Sequence, residues 1–106
     1  EQRHAAAPAR EKARSAFAED YKAKKERQGA VNRASGELKR AEERVAAAEG
    51  EIAALEQKLA SDAVATDYVK AGEVNAALEQ KRAQLDTLYR EWEQAEKTLD
   101  ELTEDA

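Results

Sequence analysis

Lys22, Lys25, Arg27, Arg33, Lys39 and Arg40 lie close together between positions 22 and 40. Cations so spaced can neutralise a line of phosphates and release the counterions condensed on them. The overall charge of -5 hides this concentration. Residues 1–44 hold 12 Lys/Arg against 8 Asp/Glu, a net +4, whereas residues 45–106 hold 6 against 15, a net -9. The stripe has a second reading, as a solvated face partly neutralised by the acidic end "DELTEDA".

Other chemistry finds little to build on. His4 is the only histidine, and cysteine is absent, so neither a transition-metal site nor a disulfide framework can be assembled in the usual way. His4 reads as a solvated residue of the lead-in. The carboxylates alternate with bases along helical stretches, and none is placed to be desolvated as a catalytic acid. There is no "GxxxxGK[ST]" phosphate loop and no "GxGxxG". The segment is expected to be no enzyme and to hold no cofactor or metal.

The composition sets the elements that must position the cations. Charged residues make up 39% of the 106 and aromatics 5%, dominated by Ala, Glu, Lys, Leu and Arg. That is the signature of long helices, with enough apolar groups for a narrow seam and too few for a globular core. No apolar run approaches the roughly 20 residues that span a bilayer. The lack of cysteine fits a reducing cytoplasm. The chain begins at Glu1 and has no methionine, as expected of a piece of something longer.

Two heptad seams organise the chain. The first runs Val31, Ala34, Leu38, Ala41, Val45, Ala48, Ile52, Leu55 and Leu59, and the second Ala71, Val74, Leu78, Lys81, Leu85, Leu88, Trp92, Ala95, Leu99 and Leu102. Between them "ASDAVATDYVKAG" carries turn and cap formers, with Asp67 or Thr66 available to cap the second helix. So short a link makes the helices antiparallel. Leu59 then faces Val74, Leu55 faces Leu78, Ile52 faces Lys81, Ala48 faces Leu85, Val45 faces Leu88, Ala41 faces Trp92 and Ala34 faces Leu99. Trp92, Leu85 and Leu99 each meet an alanine, the large-against-small matching that a seam of uniform width needs. The register also brings Arg44 near Glu91 and Glu49 near Arg82.

The predicted fold is all-α: a two-helix antiparallel coiled-coil hairpin closed within one chain, a monomer. Helix one covers about 17–60, the turn about 61–68, with room for a short 3₁₀-like piece, and helix two about 69–104. Residues 1–16 read as a flexible linker or frayed lead-in, because they lack apolar periodicity and Pro8 interrupts a helix. Gly29, Gly36 and Gly50 fall at f, the outermost heptad position, where no seam packing is lost. Lys25, Arg33, Lys39 and Arg40 fall at b and c, facing outward. Lys24 and Arg27 occupy a and d, so the seam stops being apolar before Gly29, and Phe17 and Tyr21 can make a small contact further back. Lys81 is expected to lay its methylenes over Ile52 and reach Glu51 or Glu56 with its ammonium.

Residues 52–102 carry a family resemblance. "LEQKLASD" (55–62), Tyr68 and "LYREWEQAEKTLDEL" (88–102), with Leu88, Tyr89, Trp92 and Glu93 the most specific, resemble the C-terminal coiled-coil domain of ABC-F family ATP-binding proteins of the Uup type. The resemblance implies an appended hairpin on a tandem ATPase with ATP and Mg bound in its nucleotide-binding domains, outside this segment. It also implies weak contact with nucleic acid, either DNA or ribosomal RNA, and a cytoplasmic setting. A Leu-Pro step frequent early in helix one of that family is replaced here by "RQGAVNRASG". The competing reading of the same residues is a purely structural coiled coil, serving as a spacer or for dimerisation.

Overall fold

The computed structural model describes residues 2–104, with side chains from residue 9 onward. His4 therefore lies outside the described side chains, and the last two residues of the acidic end lie outside the described residues. Three helices follow one another: α1 (Gln2–Ala60), α2 (Asp62–Ala65) and α3 (Tyr68–Glu104). α1 and α3 lie side by side as an antiparallel hairpin in a body of 97 × 16 × 16 Å. Its length is close to the ~88 Å expected of 59 helical residues at 1.5 Å each.

The seam positions form the core. Ala34, Ala41, Val45, Ala48, Ile52, Val74 and Leu78 are buried, together with Val64 of α2. Leu38, Leu55, Leu59, Leu85, Leu88, Trp92 and Leu99 are half-buried, because two helices alone cannot enclose a long side chain on every side. Burial is deepest near the turn, where Ile52, Val64, Val74 and Leu78 cluster and Leu55, Leu59, Ala71 and Leu85 pack around them. Leu78 is only 2% exposed.

Cross-helix ion pairs mark the register. Arg44 meets Glu91 at 3.7 Å, as its seam position demands, and the Lys81 ammonium meets Glu51 at 2.5 Å. Val31 and Leu102 line one notch at the open end. These markers place Trp92 in the layer of Ala41. Arg82 departs from expectation: it reaches Glu56 at 3.4 Å rather than Glu49. In an antiparallel seam e positions face e positions, and the one opposite Arg82 is Glu56, a heptad nearer the turn than Glu49. Glu49 accepts a hydrogen bond from the Tyr89 hydroxyl at 3.2 Å. All of these pairs are solvent-washed and contribute about 0–1 kcal/mol each.

The turn is a short helical piece, but α rather than 3₁₀ in its main bonds. Ala65 N–H donates to the Ser61 carbonyl at 2.8 Å and Thr66 N–H to that of Asp62 at 3.2 Å, both four residues back. Shorter three-residue closures flank them, Val64 N–H to Ser61 and Asp67 N–H to Val64. α2 thereby lowers Val64 onto the end of the seam. Asp67 caps α3: its Oδ1 accepts the N–H groups of Val69 at 3.1 Å and Lys70 at 3.2 Å. Thr66, the other candidate, instead donates its hydroxyl to the Asp62 carbonyl at 2.6 Å.

The start of the chain differs from its sequence expectation. α1 begins at Gln2 and continues through Pro8 and residues 9–16, where the composition predicts a lead-in. The residues "AREKARSA" are mostly strong helix formers, so local propensity carries the helix without a seam. α3 is described as far as Glu104, and along residues 9–28 of α1 every side chain is exposed, a partial cover beginning at Gly29. Phe17 and Tyr21 are 73% and 62% exposed and make no core contact.

Two measurements check this architecture. Ala41→Leu overfills the Trp92 layer and should cost about 1–3 kcal/mol; an unchanged thermal midpoint would mean that Trp92 lies elsewhere. A hairpin closed within one chain should also melt at a midpoint independent of protein concentration, and a midpoint that climbs with concentration would reveal an intermolecular coil.

Candidate nucleic-acid interface

The six cations divide between two settings. Lys22, Lys25 and Arg27 stand on the single-helix part of α1, whereas Arg33, Lys39 and Arg40 stand on the part that α3 accompanies. All six are exposed. The helix brings Lys22, Lys25 and Arg33 around one shallow basin of about 340 Å³, whose other walls are Glu26 and Gly29. Arg27 lies instead beside a notch of about 320 Å³ with Lys24, Gln28, Val31 and Leu102. Lys39 and Arg40 are further along and join neither.

Local pairing separates the cations further. Arg40 is engaged with Glu37 at 2.6 Å, a contact across one helical turn. Its guanidinium folds back over Gly36, where an added Cβ would come within 3.4 Å of it. The Arg33 guanidinium lies similarly over Gly29. The two f-position glycines thus leave room for arginines that lie along the helix. Glu37 has its carboxyl held below the usual range, first by the hydrogen bond from Arg40 and then by that residue's charge. Among the described residues, Lys22, Lys25, Arg27, Arg33 and Lys39 form no ion pair. Lys24, which the heptad pattern assigned to a failing seam, is exposed beside them. The signal that could have found it was the run "YKAKKERQ" itself.

The hairpin body offers less chemistry. Among the described residues no group of three or more His, Asp or Glu side chains is placed to hold a metal ion. No helix there is long and apolar enough to cross a membrane. Tyr89 stacks on Trp92 with ring centroids 6.3 Å apart. The indole Nε1 of Trp92 is buried and has no hydrogen-bond partner among the described residues, which costs about 1–3 kcal/mol. The ring's polar edge therefore contributes nothing to holding it in the seam. Partial desolvation of the Tyr89 phenol, followed by the Glu49 hydrogen bond and the charges of Glu49 and Asp86, pushes its pKa above the ordinary tyrosine value.

A family model described as ABC transporter C-terminal domain matches residues 19–97, and the chain belongs to that family. The matched span contains all six cations and most of both seams. No curated protein and no solved structure matches the chain.

The raised Tyr89 pKa sets the direction of an alkaline test. A group whose pKa is raised on folding contributes stability that is fully present below its unfolded pKa. That contribution is lost as pH rises through the folded value. Tyr89→Phe should therefore flatten the loss of stability above pH ~10, as followed by denaturant melts across the alkaline range. A loss of stability above pH ~10 as steep in Tyr89→Phe as in the parent chain would show that Tyr89 is not so enclosed in solution.

Proposed function

We propose that this C-terminal domain is an accessory nucleic-acid contact module of an ABC-F ATPase, binding DNA or ribosomal RNA weakly through phosphates. The reading gives ATP and Mg to nucleotide-binding domains elsewhere in the same polypeptide and no catalytic step to this segment. It describes a monomeric hairpin on a cytoplasmic protein.

One observation supports it above the others. Among the described residues the basic part of α1 reaches beyond α3, and Lys22, Lys25 and Arg27 are exposed there without an ion pair. A purely structural spacer has no need of such an arm. Arg33, Lys39 and Arg40 continue the same charge onto the hairpin, although Arg40 must first give up Glu37. Contacts of this kind go to phosphates and carry no direct sequence information. The affinity should be modest, because the net -9 of residues 45–106 repels the same ligand.

Titration of labelled duplex DNA and structured RNA at low and physiological salt tests the reading. Binding should be unselective and fall steeply with salt, with a slope near -0.9 per phosphate contacted on a duplex. Changing Lys25, Arg33, Lys39 and Arg40 together to Ala should weaken binding to every sequence alike and shallow that slope. No binding at low salt, or binding indifferent to the four changes, would leave the spacer reading in its place.

A further inference from the structure

The projecting arm of α1 has two unlike faces. At 3.6 residues per turn, Arg10, Arg14, Phe17, Tyr21, Lys24 and Lys25 all lie within about 60° of one direction. The carboxylates of the arm, Glu11, Glu19, Asp20 and Glu26, all lie about 80° or more away from it. One face therefore combines cations with two exposed aromatic rings and carries no acid. Phe17 and Tyr21 are one turn apart, a rise of ~6 Å, so each ring can present its surface to a separate planar group. Towards the hairpin this face runs into the notch at the end of α3. Lys24 and Gln28 belong to both, and the notch adds an aliphatic floor of Val31 and Leu102 and the cation of Arg27.

We infer that this face binds an unpaired nucleic-acid strand, with bases stacking on Phe17 and Tyr21 while Arg10, Arg14, Lys24 and Lys25 follow its phosphates. The inference rests on the nucleic-acid reading above and deepens it by naming the form of ligand. Stacking platforms beside cations are what single strands use, and stacking tolerates any sequence because every base has a π-face. A duplex hides its base faces and would leave the two rings without partners. Another helix fits poorly as well. The a and d positions continued back from the seam are Arg27, Lys24, Asp20, Phe17, Ala13 and Arg10, of which only Phe17 is a large apolar residue. A coiled-coil partner needs apolar residues there, whereas phosphates complement the four cations. The apolar floor of the notch, about 320 Å³ in volume, can take a further base or sugar at the end of the track.

The test uses the whole chain, a labelled oligothymidine and a duplex of the same length. The Phe17→Ala/Tyr21→Ala double variant removes both rings and no charge. Both sites are exposed, so helicity by circular dichroism should be unchanged. Oligothymidine binding should weaken about tenfold or more, duplex binding should stay within about twofold, and the salt slope for both should remain. Equal loss on both ligands, or no loss on either, overturns the stacking role. Oligothymidine binding that depends on the cations but not on the rings would overturn this inference and leave the broader reading standing. Absence of any binding at low salt would overturn both. A dimer in sedimentation that disappears in the double variant would assign the face to a second copy of the chain and also overturn the proposal.

Discussion

Everything in this molecule depends on one narrow contact between two helices. A pair of helices has no third layer, and several levels of the seam set one large side chain against a small one. The chain meets that limit by alternation, with Trp92, Leu85 and Leu99 in the layers of Ala41, Ala48 and Ala34. Ala34, Ala41 and Ala48 are buried, whereas the large residues opposite stay half-exposed at their outer edges. The turn end escapes the limit because α2 supplies a third element. Val64 covers the last layers there, and Leu78 becomes the most enclosed side chain. Asp67 fixes where α3 starts, and the register follows from that start.

A seam so thin leaves most of the surface to charge. Charges flanking the seam settle into pairs, Arg44 with Glu91, Lys81 with Glu51 and Arg82 with Glu56, which mark the register more than they hold it. Along residues 9–28 of α1 every side chain is exposed. Its cations there stand beside Phe17 and Tyr21, both exposed. The described part of α1 is longer than that of α3, and its exposed basic stretch is the surface that the proposed contact uses. Family membership assigns this hairpin to the C-terminal part of ABC proteins, and the arm is the part with most capacity to touch something else.

The heptads were legible in the sequence because their 3,4 spacing is unbroken from Val31 to Leu59 and nearly so from Ala71 to Leu102. The antiparallel register was legible because so short a link permits little else. Cations at b and c positions could be placed outward for the same reason. Less visible was the helix before Phe17. Pro8 and the missing apolar period argued for a break, while the propensity of Ala, Arg, Lys and Glu argued for continuation. Propensity prevailed, and so the cationic arm extends further from the hairpin than the spacing alone implied.

The sequence by itself determined the helical class, the seam, the large-against-small layers and the segregation of basic from acidic residues, since each is a matter of residue type at a fixed period. Tertiary structure decided which of several reachable partners a long side chain takes. Arg82 chose Glu56, Glu49 was left to Tyr89, and Lys81 chose Glu51. It also decided that Val64 caps the core and that the Trp92 Nε1 is enclosed without a partner. Periodicity specifies the face on which a residue lies. It does not specify where the end of a flexible side chain stops or how the four-residue α2 folds over a seam, because those depend on distances between two helices that are known only once both are in place.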